Sequence, residues 1–195
     1  MELRERVQRV LSDRKRKAIK TDRWTRAAVL VPLFKKKGRP HVLFTKRTER
    51  VKHHKGQISF PGGVVDEGDE NMEATALRET FEEIGLPRED LRILGKLDDT
   101  FTVFSGYLIT PIVAEIPYPY PFSINEEEIA ELIEVPLEAF LEEHRWAVEM
   151  HSSEGKRLLN YSFEYEGWII WGATARIMRQ FLNAIFGDKQ ERSNK

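Results

Sequence analysis

The sequence contains no cysteine, has almost no net charge and has no long apolar run. Without cysteine there is no disulfide, thiolate metal site or cysteine nucleophile, which fits a reducing compartment. A formal net charge of −1 provides no basic field to attract nucleic acid, so no nucleic-acid partner is expected. No apolar stretch approaches the roughly 20 residues that cross a bilayer, and residues 1–4 do not begin a secretory signal. We therefore expect a cytoplasmic protein with no membrane partner.

The composition that remains is typical of a globular protein. Hydrophobic residues make up 41% and charged residues 32% of the 195 residues, and this length suits one domain, residues 1–195, with a sizeable core. The order of apolar segments predicts an α/β (α+β) fold with a mixed sheet between helices. Helices are predicted at about residues 1–12, 69–85, 137–143 and 173–185, with a frayed tail after about residue 187. Strands are predicted at residues 27–34, 41–45, 91–97, 99–102 with 106–109, 112–116, 131–136, 157–165 and 168–170.

Three glutamates are the most informative feature of the chain. Glu79, Glu82 and Glu83 are three and four residues apart, so a helix projects their carboxylates from one face. Such like-charge pairs cost about 0.2–0.5 kcal/mol each, and Mg²⁺ or Mn²⁺ with its preference for oxygen ligands would offset that cost. The alternative is a solvated acidic face in which Arg78 and Glu82 form an ordinary surface pair. The helical wheel predicts an opposite, buried side made of Ala74, Leu77, Phe81 and Ile84.

The residues around these glutamates resemble the signature of the Nudix hydrolase family. That signature is Gly-x5-Glu-x7-Arg-Glu-U-x-Glu-Glu-x-Gly-U, where U is aliphatic. One extra residue follows Gly63, which leaves open whether Asp69 or Glu70 is the acid that orients Arg78, and Thr80 occupies an aliphatic position. The resemblance implies the Nudix α/β/α sandwich, hydrolysis of a diphosphate and a Mg²⁺ or Mn²⁺ cofactor. The matching residues are Gly63, Glu70, Arg78, Glu79, Glu82, Glu83, Gly85 and Leu86.

The same resemblance implies roles for individual residues. Glu79, Glu82 and Glu83, together with the carbonyl oxygen of Gly63, would hold the metal that positions an attacking water. The general base would be either one of these glutamates or an acid from a later loop. Among the later acids, we select Glu128 in the segment 125–129 as the candidate base. The alternative is that this acidic segment is a solvated loop without a catalytic role.

A second resemblance concerns the substrate. Residues 43–48 and 56–63 resemble the signature of Nudix coenzyme A pyrophosphatases, Leu-Leu-Thr-x-Arg-Ser/Ala-x3-Arg-x3-Gly-x3-Phe-Pro-Gly-Gly. Phe44, Thr48 and Lys52 depart from that pattern, while the spacing is intact. The resemblance implies a coenzyme A-like small molecule as substrate, cleaved to 3′,5′-ADP and 4′-phosphopantetheine.

Candidate substrate contacts come from the same segment. Its cationic and polar side chains suit the diphosphate and 3′-phosphate of coenzyme A, although a lysine makes fewer bidentate contacts than the arginine it replaces. The alternative is loop charges without a ligand, and the histidine pair lacks the partner spacing of a metal site. The candidates are Arg47, Lys52, His53, His54 and Gln57.

Other interpretations remain open from sequence. A different nucleoside diphosphate derivative, such as ADP-ribose or an oxidised nucleotide, would use the same acidic helix, and a non-catalytic nucleotide-binding module is the alternative of another class. Exposed segments such as the N-terminal helix would allow a homodimer. The basic run at residues 14–20 is either a solvated face or an anion contact. Tyr161, Phe163 and Trp171 either pack in the core or stack on adenine.

Overall fold

The computed structural model describes residues 2–50, 56–102, 105–153 and 156–187. The predicted frayed tail beyond residue 187 lies outside these ranges. The α-helices are α1 (Leu3–Asp13), α2 (Met72–Ile84) and α3 (Gly172–Phe186). The strands are β1 (Thr25–Lys36), β2 (Arg39–Arg47), β3 (Ile58–Ser59), β4 (Gly62–Val64), β5 (Arg92–Lys96), β6 (Thr100–Phe101), β7 (Tyr107–Glu115), β8 (Ile129–Pro136), β9 (Trp146–Ser153), β10 (Lys156–Tyr165) and β11 (Trp168–Trp171). Across the described ranges, no helix has the length and apolar character needed to span a membrane.

Strands β1 to β8 form one mixed sheet. Its main path runs in the order β3-β2-β1-β7-β5, and β4, β8 and β6 pair with β1, β2 and β7 respectively. The pairing of β1 with β7 is parallel, whereas the other pairings in this sheet are antiparallel. Strands β9, β10 and β11 form a separate antiparallel sheet.

The large sheet separates two hydrophobic cores. Because side chains alternate along a strand, β1 sends Leu30 and Phe34 into the core beneath α2. The intervening Val31 and Leu33 enter the opposite core, which contains residues of α1, α3 and the small sheet. The predicted mixed sheet between helices is confirmed, and the acidic helix lies on the opposite side from α1 and α3.

Local signals define helix α2. The side chain of Asn71 accepts hydrogen bonds from the backbone N–H groups of Glu73 and Ala74 at 2.9 and 3.1 Å, and so caps the first turn. Gly85 adopts a left-handed conformation with φ of 69° and ends the helix. Thr80 is fully buried, and its hydroxyl donates to the carbonyl of Ala76 at 2.6 Å, which explains why an aliphatic side chain is dispensable there.

The prediction that Phe81 belongs to the buried side of α2 is wrong, because its side chain is 56% exposed. Helix α2 packs against both β1 and β4, which centres its buried stripe on Thr80. Phe81 lies about 100° around the helix from that centre and therefore faces solvent.

Two other segments differ from expectation. Strand β7 is continuous, whereas the sequence predicts separate strands at residues 106–109 and 112–116. Its parallel partner β1 nevertheless pairs through this region, with Val29 opposite Pro111. Strand β9 was not predicted, and it adds a third strand to the expected hairpin of β10 and β11. The predicted helix at residues 137–143 is a 3₁₀ turn at Leu137–Leu141.

Helix α1 packs against the hydrophobic core. Val7 and Leu11 are buried in the core shared with α3, so the apolar face of α1 is used within the chain and is not a free surface for pairing with a second copy. The following basic run is only partly solvated. Arg14 forms an ion pair with Asp98, and Arg16 forms one with the buried Asp99.

Gly95 provides a test of how closely α1 packs on β5. Its φ is +152°, and a Cβ there would lie 2.6 Å from the Cβ of Leu11. We expect Gly95→Ala to lower the free energy of unfolding in urea by about 2–4 kcal/mol, because overpacking adds to backbone strain. Gly106→Ala is the control, since it shares the positive φ of +72° but meets nothing within 4 Å. Equal losses in the two variants would contradict the packing argument.

Candidate active site

The acidic helix α2 is packed closely against the Gly62–Gly63 pair of β4. A Cβ on Gly63 would lie 2.4 Å from the carboxyl carbon of Glu79. A Cβ on Gly62 would lie 2.3 Å from the carbonyl oxygen of Ala28. The N–H of Gly62 donates to Glu83 Oε2 at 3.3 Å. Gly63 therefore allows the strand to approach the Glu79 carboxylate, and Gly62 allows it to approach β1, more closely than residues with a side chain would.

The carboxylate of Glu83 is buried and that of Glu79 is half-buried, and the positive charge near them does not fully compensate for the loss of solvent. Glu83 is only 3% exposed, and burial raises its pKa to about 8 although the positive charge of Arg47 opposes the shift. Burial also raises the pKa of Glu79, against the hydrogen bond from Arg78. The negative charge of Glu128 adds to both shifts.

Arg47 joins parts of the chain that are far apart in sequence. Its Nη1 lies 3.4 Å from Glu83 Oε1, and its Nη2 lies 3.5 Å from Glu128 Oε2. The backbone N–H of Arg47 donates to the carbonyl of Gln57 at 2.9 Å, so these two of the five candidate substrate contacts are adjacent in the structure. The Nε of Arg47 is buried without a hydrogen-bond partner.

The loop that carries Glu128 is attached to the C-terminus of α2. The backbone N–H groups of Ser123 and Asn125 donate to the carbonyl oxygens of Ile84 and Glu83 at 3.1 and 2.9 Å. These carbonyls have no partner within the helix, so the loop takes the place of a longer cap. Glu128, the candidate base from this acidic segment, lies 3.5 Å from Arg47, which also contacts Glu83.

Arg78 is oriented by Asp69. Its Nε and Nη2 donate to the two carboxylate oxygens of Asp69, each at 3.0 Å, and Nη2 also donates to the carbonyl of Val64 at 3.0 Å. These hydrogen bonds lower the pKa of Asp69 to about 2. Glu70 is exposed, and no described contact joins it to Arg78. Of the two acids left open by the sequence, Asp69 is therefore the one that supports the arginine.

The three glutamates of α2 are not gathered into one group. Arg78 Nη1 donates to Glu79 at 2.9 Å and to Glu82 at 3.1 Å, and the Glu82 side chain is 53% exposed. Glu83 lies buried on the other flank. Within the parts of the chain that the structure describes, no three His, Cys, Asp or Glu side chains form a ready-made metal-binding group. The expectation that all three carboxylates project together is met only in part, because arginines hold them separately.

The donor set nevertheless fits a hard divalent cation. All of its ligating atoms are oxygens, which Mg²⁺ and Mn²⁺ prefer. Two of the carboxylates, Glu79 and Glu83, have pKa values raised by burial, so an added positive charge would stabilise their ionised forms.

Other predicted residues are placed differently. Lys52, His53 and His54 lie outside the described residues. Phe163 is 1% exposed and stacks on Phe140 with ring centroids 4.2 Å apart, so the alternative that it stacks on adenine is wrong. The residues Tyr161 and Trp171 are respectively half-buried and 45% exposed.

The Asp69–Arg78 pair predicts a pH dependence of stability. Because the folded-state pKa of Asp69 is about 2, below its usual 3.8, the pair stabilises the fold above about pH 4 and is lost as the pH falls towards 2. We expect Asp69→Asn to lower the free energy of unfolding by about 1–3 kcal/mol at pH 7, with a smaller loss near pH 3. Urea titrations across this range measure the effect. Glu70→Gln is the matched control, and an equal loss there would contradict the assignment.

Comparison with known proteins identifies the family. The NUDIX domain family matches residues 24–153. The proteins named Uncharacterized Nudix hydrolase NudL from Yersinia pestis (strain Pestoides F) and Yersinia pseudotuberculosis (serotype O:1b, strain IP 31758) are each 40% identical over 161 residues, which cover 82% of this chain and 79% of the relative.

Solved structures resemble the fold. A MutT/nudix family protein from Enterococcus faecalis superposes with a TM-score of 0.55 and 17% identity, over 93% of this chain and 68% of that one. A C. elegans Ap4A hydrolase binary complex gives a TM-score of 0.50 and 24% identity, over 60% of this chain and 83% of that one. Nudix hydrolases generally use divalent metal ions. The chain belongs to the Nudix family and is a pyrophosphohydrolase of nucleoside diphosphate derivatives.

Proposed function

We propose that this Nudix hydrolase cleaves the diphosphate bond of coenzyme A or one of its derivatives, releasing 3′,5′-ADP and 4′-phosphopantetheine or its acyl form. One observation carries the proposal. Arg47, from the segment that resembles coenzyme A pyrophosphatases, contacts Glu83 of the acidic helix and Glu128 of the opposite loop. The residues of the two resemblances thus belong to one site.

The chemistry of this site suits an anionic substrate with more than one phosphate. The Arg47 guanidinium is held between two carboxylates at distances of 3.4 and 3.5 Å, and an incoming phosphate can compete for its donors. The ends of the loop 48–56 meet at the site, because Arg47 and Gln57 are hydrogen-bonded to each other. We assign contacts with the diphosphate and the 3′-phosphate to Arg47 and Gln57, and also to Lys52, His53 and His54 of this loop.

The metal site consists of Glu79, Glu82 and Glu83, with the carbonyl oxygen of Gly63. When bound there, Mg²⁺ or Mn²⁺ neutralises charge that develops on the diphosphate and increases the acidity of an attacking water. Arg78, fixed by Asp69, keeps Glu79 and Glu82 in place and limits their mutual repulsion. The close approach of Gly63 keeps the Glu79 carboxylate against the strand.

The proton of the attacking water is accepted by Glu128. Its side chain is 45% exposed, so water reaches it, and Arg47 holds it on the side of the site that faces α2. Glu83 is the alternative base, but it is 3% exposed and already accepts from the N–H of Gly62. As water attacks phosphorus, the bond to the bridging oxygen breaks and the second phosphate departs. We place this reaction in the cytoplasm.

A substrate comparison tests the proposal. The purified protein is incubated with coenzyme A, ADP-ribose and 8-oxo-dGTP in separate reactions with Mg²⁺ or Mn²⁺, and the products are separated by chromatography. We expect coenzyme A to be cleaved to 3′,5′-ADP and 4′-phosphopantetheine with the highest kcat/KM. Cleavage of the other two compounds with coenzyme A untouched would reject the substrate. Binding of coenzyme A without turnover of any compound would reject the reaction.

Glu83→Gln separates a catalytic role from a structural one. We expect kcat to fall by about 100-fold or more at saturating Mg²⁺, because an electrostatic contact with the reacting centre is lost. Stability to urea without metal should be equal or higher, since burial disfavours the ionised carboxylate, as its raised pKa shows.

The matched control for this experiment is Glu73→Gln. Glu73 lies in the first turn of the same helix, where it pairs with Lys96 at 2.9 Å, away from the Gly62–Gly63 strand. We expect its replacement to leave kcat within about twofold of the starting protein, because surface ion pairs contribute little. Full activity of the Glu83→Gln protein would remove the metal assignment.

A further inference from the structure

Thr48 connects the end of strand β2 to the acidic segment 125–129 by two hydrogen bonds. Its hydroxyl donates to the carbonyl oxygen of Glu127 at 2.9 Å, and its backbone N–H donates to the carbonyl oxygen of Glu128 at 2.8 Å. Thr48 is buried, so water competes poorly for the hydroxyl bond. Two consecutive carbonyl groups of the acidic segment are therefore attached to the residue that follows Arg47.

A β-bulge lies next to this attachment. Lys46 of β2 is opposite Glu131 of β8. The next residue, Arg47, is opposite Ile129, which leaves Ala130 without a partner on β2. A bulge bends its strand and interrupts the regular ladder of hydrogen bonds. The chain before Ile129 is therefore attached to β2 by individual hydrogen bonds, of which the threonine hydroxyl provides one.

The position of the Glu128 carboxylate depends on this backbone attachment. Glu128 Oε2 lies 3.5 Å from Arg47 Nη2, and Arg47 Nη1 lies 3.4 Å from Glu83 Oε1. Both the Arg47 and Glu128 side chains are partly exposed, and ion pairs of this kind contribute little. The ion pair alone does not fix the carboxylate, so the backbone to which the side chain is joined must also be held in place.

The acidic segment is also attached to helix α2 at its other end. The backbone N–H of Asn125 donates to the carbonyl oxygen of Glu83 at 2.9 Å. The N–H groups of Glu128 and Ile129 donate to the carbonyl oxygen of Asn125 at 3.0 and 2.8 Å, which forms a tight turn between the two attachments. Loss of the threonine hydroxyl would leave this turn and the attachment to α2, so we expect the protein still to fold.

We propose that Thr48 is a positioning residue for diphosphate cleavage. Its hydroxyl fixes the segment that carries Glu128, so that this carboxylate stays within reach of the attacking water. The inference rests on the proposed function, in which Glu128 accepts the proton of that water. A displacement of about 1 Å at a reacting group can lower the rate by two orders of magnitude, so one backbone attachment is enough to affect turnover.

Thr48→Val tests this role, because it removes the hydroxyl and retains the branched shape and the backbone N–H. We expect kcat for coenzyme A with Mg²⁺ to fall by about 10-fold and KM to change by less than about twofold, since the residues that bind substrate are unaltered. Thr48→Ser is the matched control. It keeps the donor, and its kcat should stay within about twofold of the starting protein.

Thr48→Ala replaces the valine variant if that variant does not fold, since alanine occurs at this position in the signature of the coenzyme A pyrophosphatases. If coenzyme A is not cleaved, the same comparison is made with ADP-ribose. Cleavage of ADP-ribose alone, with the expected effects at Thr48, would reject only the proposed substrate. Absence of any cleavage by the starting protein would overturn the proposed function and this inference together.

A double-mutant cycle with Glu128→Gln shows whether Thr48 acts through Glu128. Thr48→Val should lower kcat by about 10-fold in the starting protein but by less than about twofold in the Glu128→Gln protein, where the positioned base is already absent. An equal loss in both backgrounds would indicate a general structural effect and would overturn the inference. Full activity of the Glu128→Gln protein would also overturn it.

Amide hydrogen exchange of the metal-free protein provides a measurement that does not depend on turnover. The N–H groups of Glu128 and Ile129 should exchange at least about fivefold faster in Thr48→Val than in the starting protein, because the turn that protects them is less firmly attached. Thr48→Ser should show no such change. Unchanged exchange in Thr48→Val, or an undiminished kcat in this variant, would contradict the assignment of Thr48.

Discussion

The close approach of helix α2 to strand β4 is the constraint on which the rest of the site depends. Gly62 and Gly63 lack side chains at the points where a Cβ would overlap a backbone carbonyl and the Glu79 carboxylate. This contact buries two carboxylates against β4, and among the contacts of the described residues one N–H of this strand donates to them, that of Gly62 to Glu83. The charge of these carboxylates is therefore poorly solvated, and the pKa of Glu83 rises to about 8. Because burial destabilises the ionised forms of these carboxylates, the site is suited to binding a cation.

Two arginines distribute the remaining acidic charge. Arg78 contacts Asp69, Glu79 and Glu82, while Arg47 contacts Glu83 and Glu128. Five carboxylates thus meet two guanidiniums, which keeps the site negative and explains why its glutamates are separated rather than clustered. In the proposed function, a divalent cation would bind at the glutamates and the phosphates of the substrate at Arg47, because cation and phosphates have opposite charges.

The charged groups on the two faces of the sheet are paired differently. The face under α2 buries carboxylates that arginines only partly balance, whereas Asp98, close to α1 and α3, forms an ion pair with Arg14. The N-terminal basic run supports the second face. Arg14 and Arg16 form ion pairs with Asp98 and Asp99, which attach this segment to the connection between β5 and β6.

Part of this structure could be predicted from the sequence, because it depends on interactions between neighbouring residues. Asn71 and Gly85 delimit α2 through capping that involves their neighbours, and the spacing of the acidic residues predicts where their carboxylates emerge. Pairing of the flanking strands follows from apolar alternation.

Tertiary packing decided the remainder. It places Thr80 at the centre of the buried stripe of α2, which leaves Phe81 exposed. It also makes Asp69 rather than Glu70 the partner of Arg78. Finally, it brings Arg47 to Glu128, which is 81 residues away in sequence. Periodicity and motif spacing describe contacts within one helix or strand. Which face of α2 meets β4, and which distant charges share a buried space, depends on how the whole sheet is assembled.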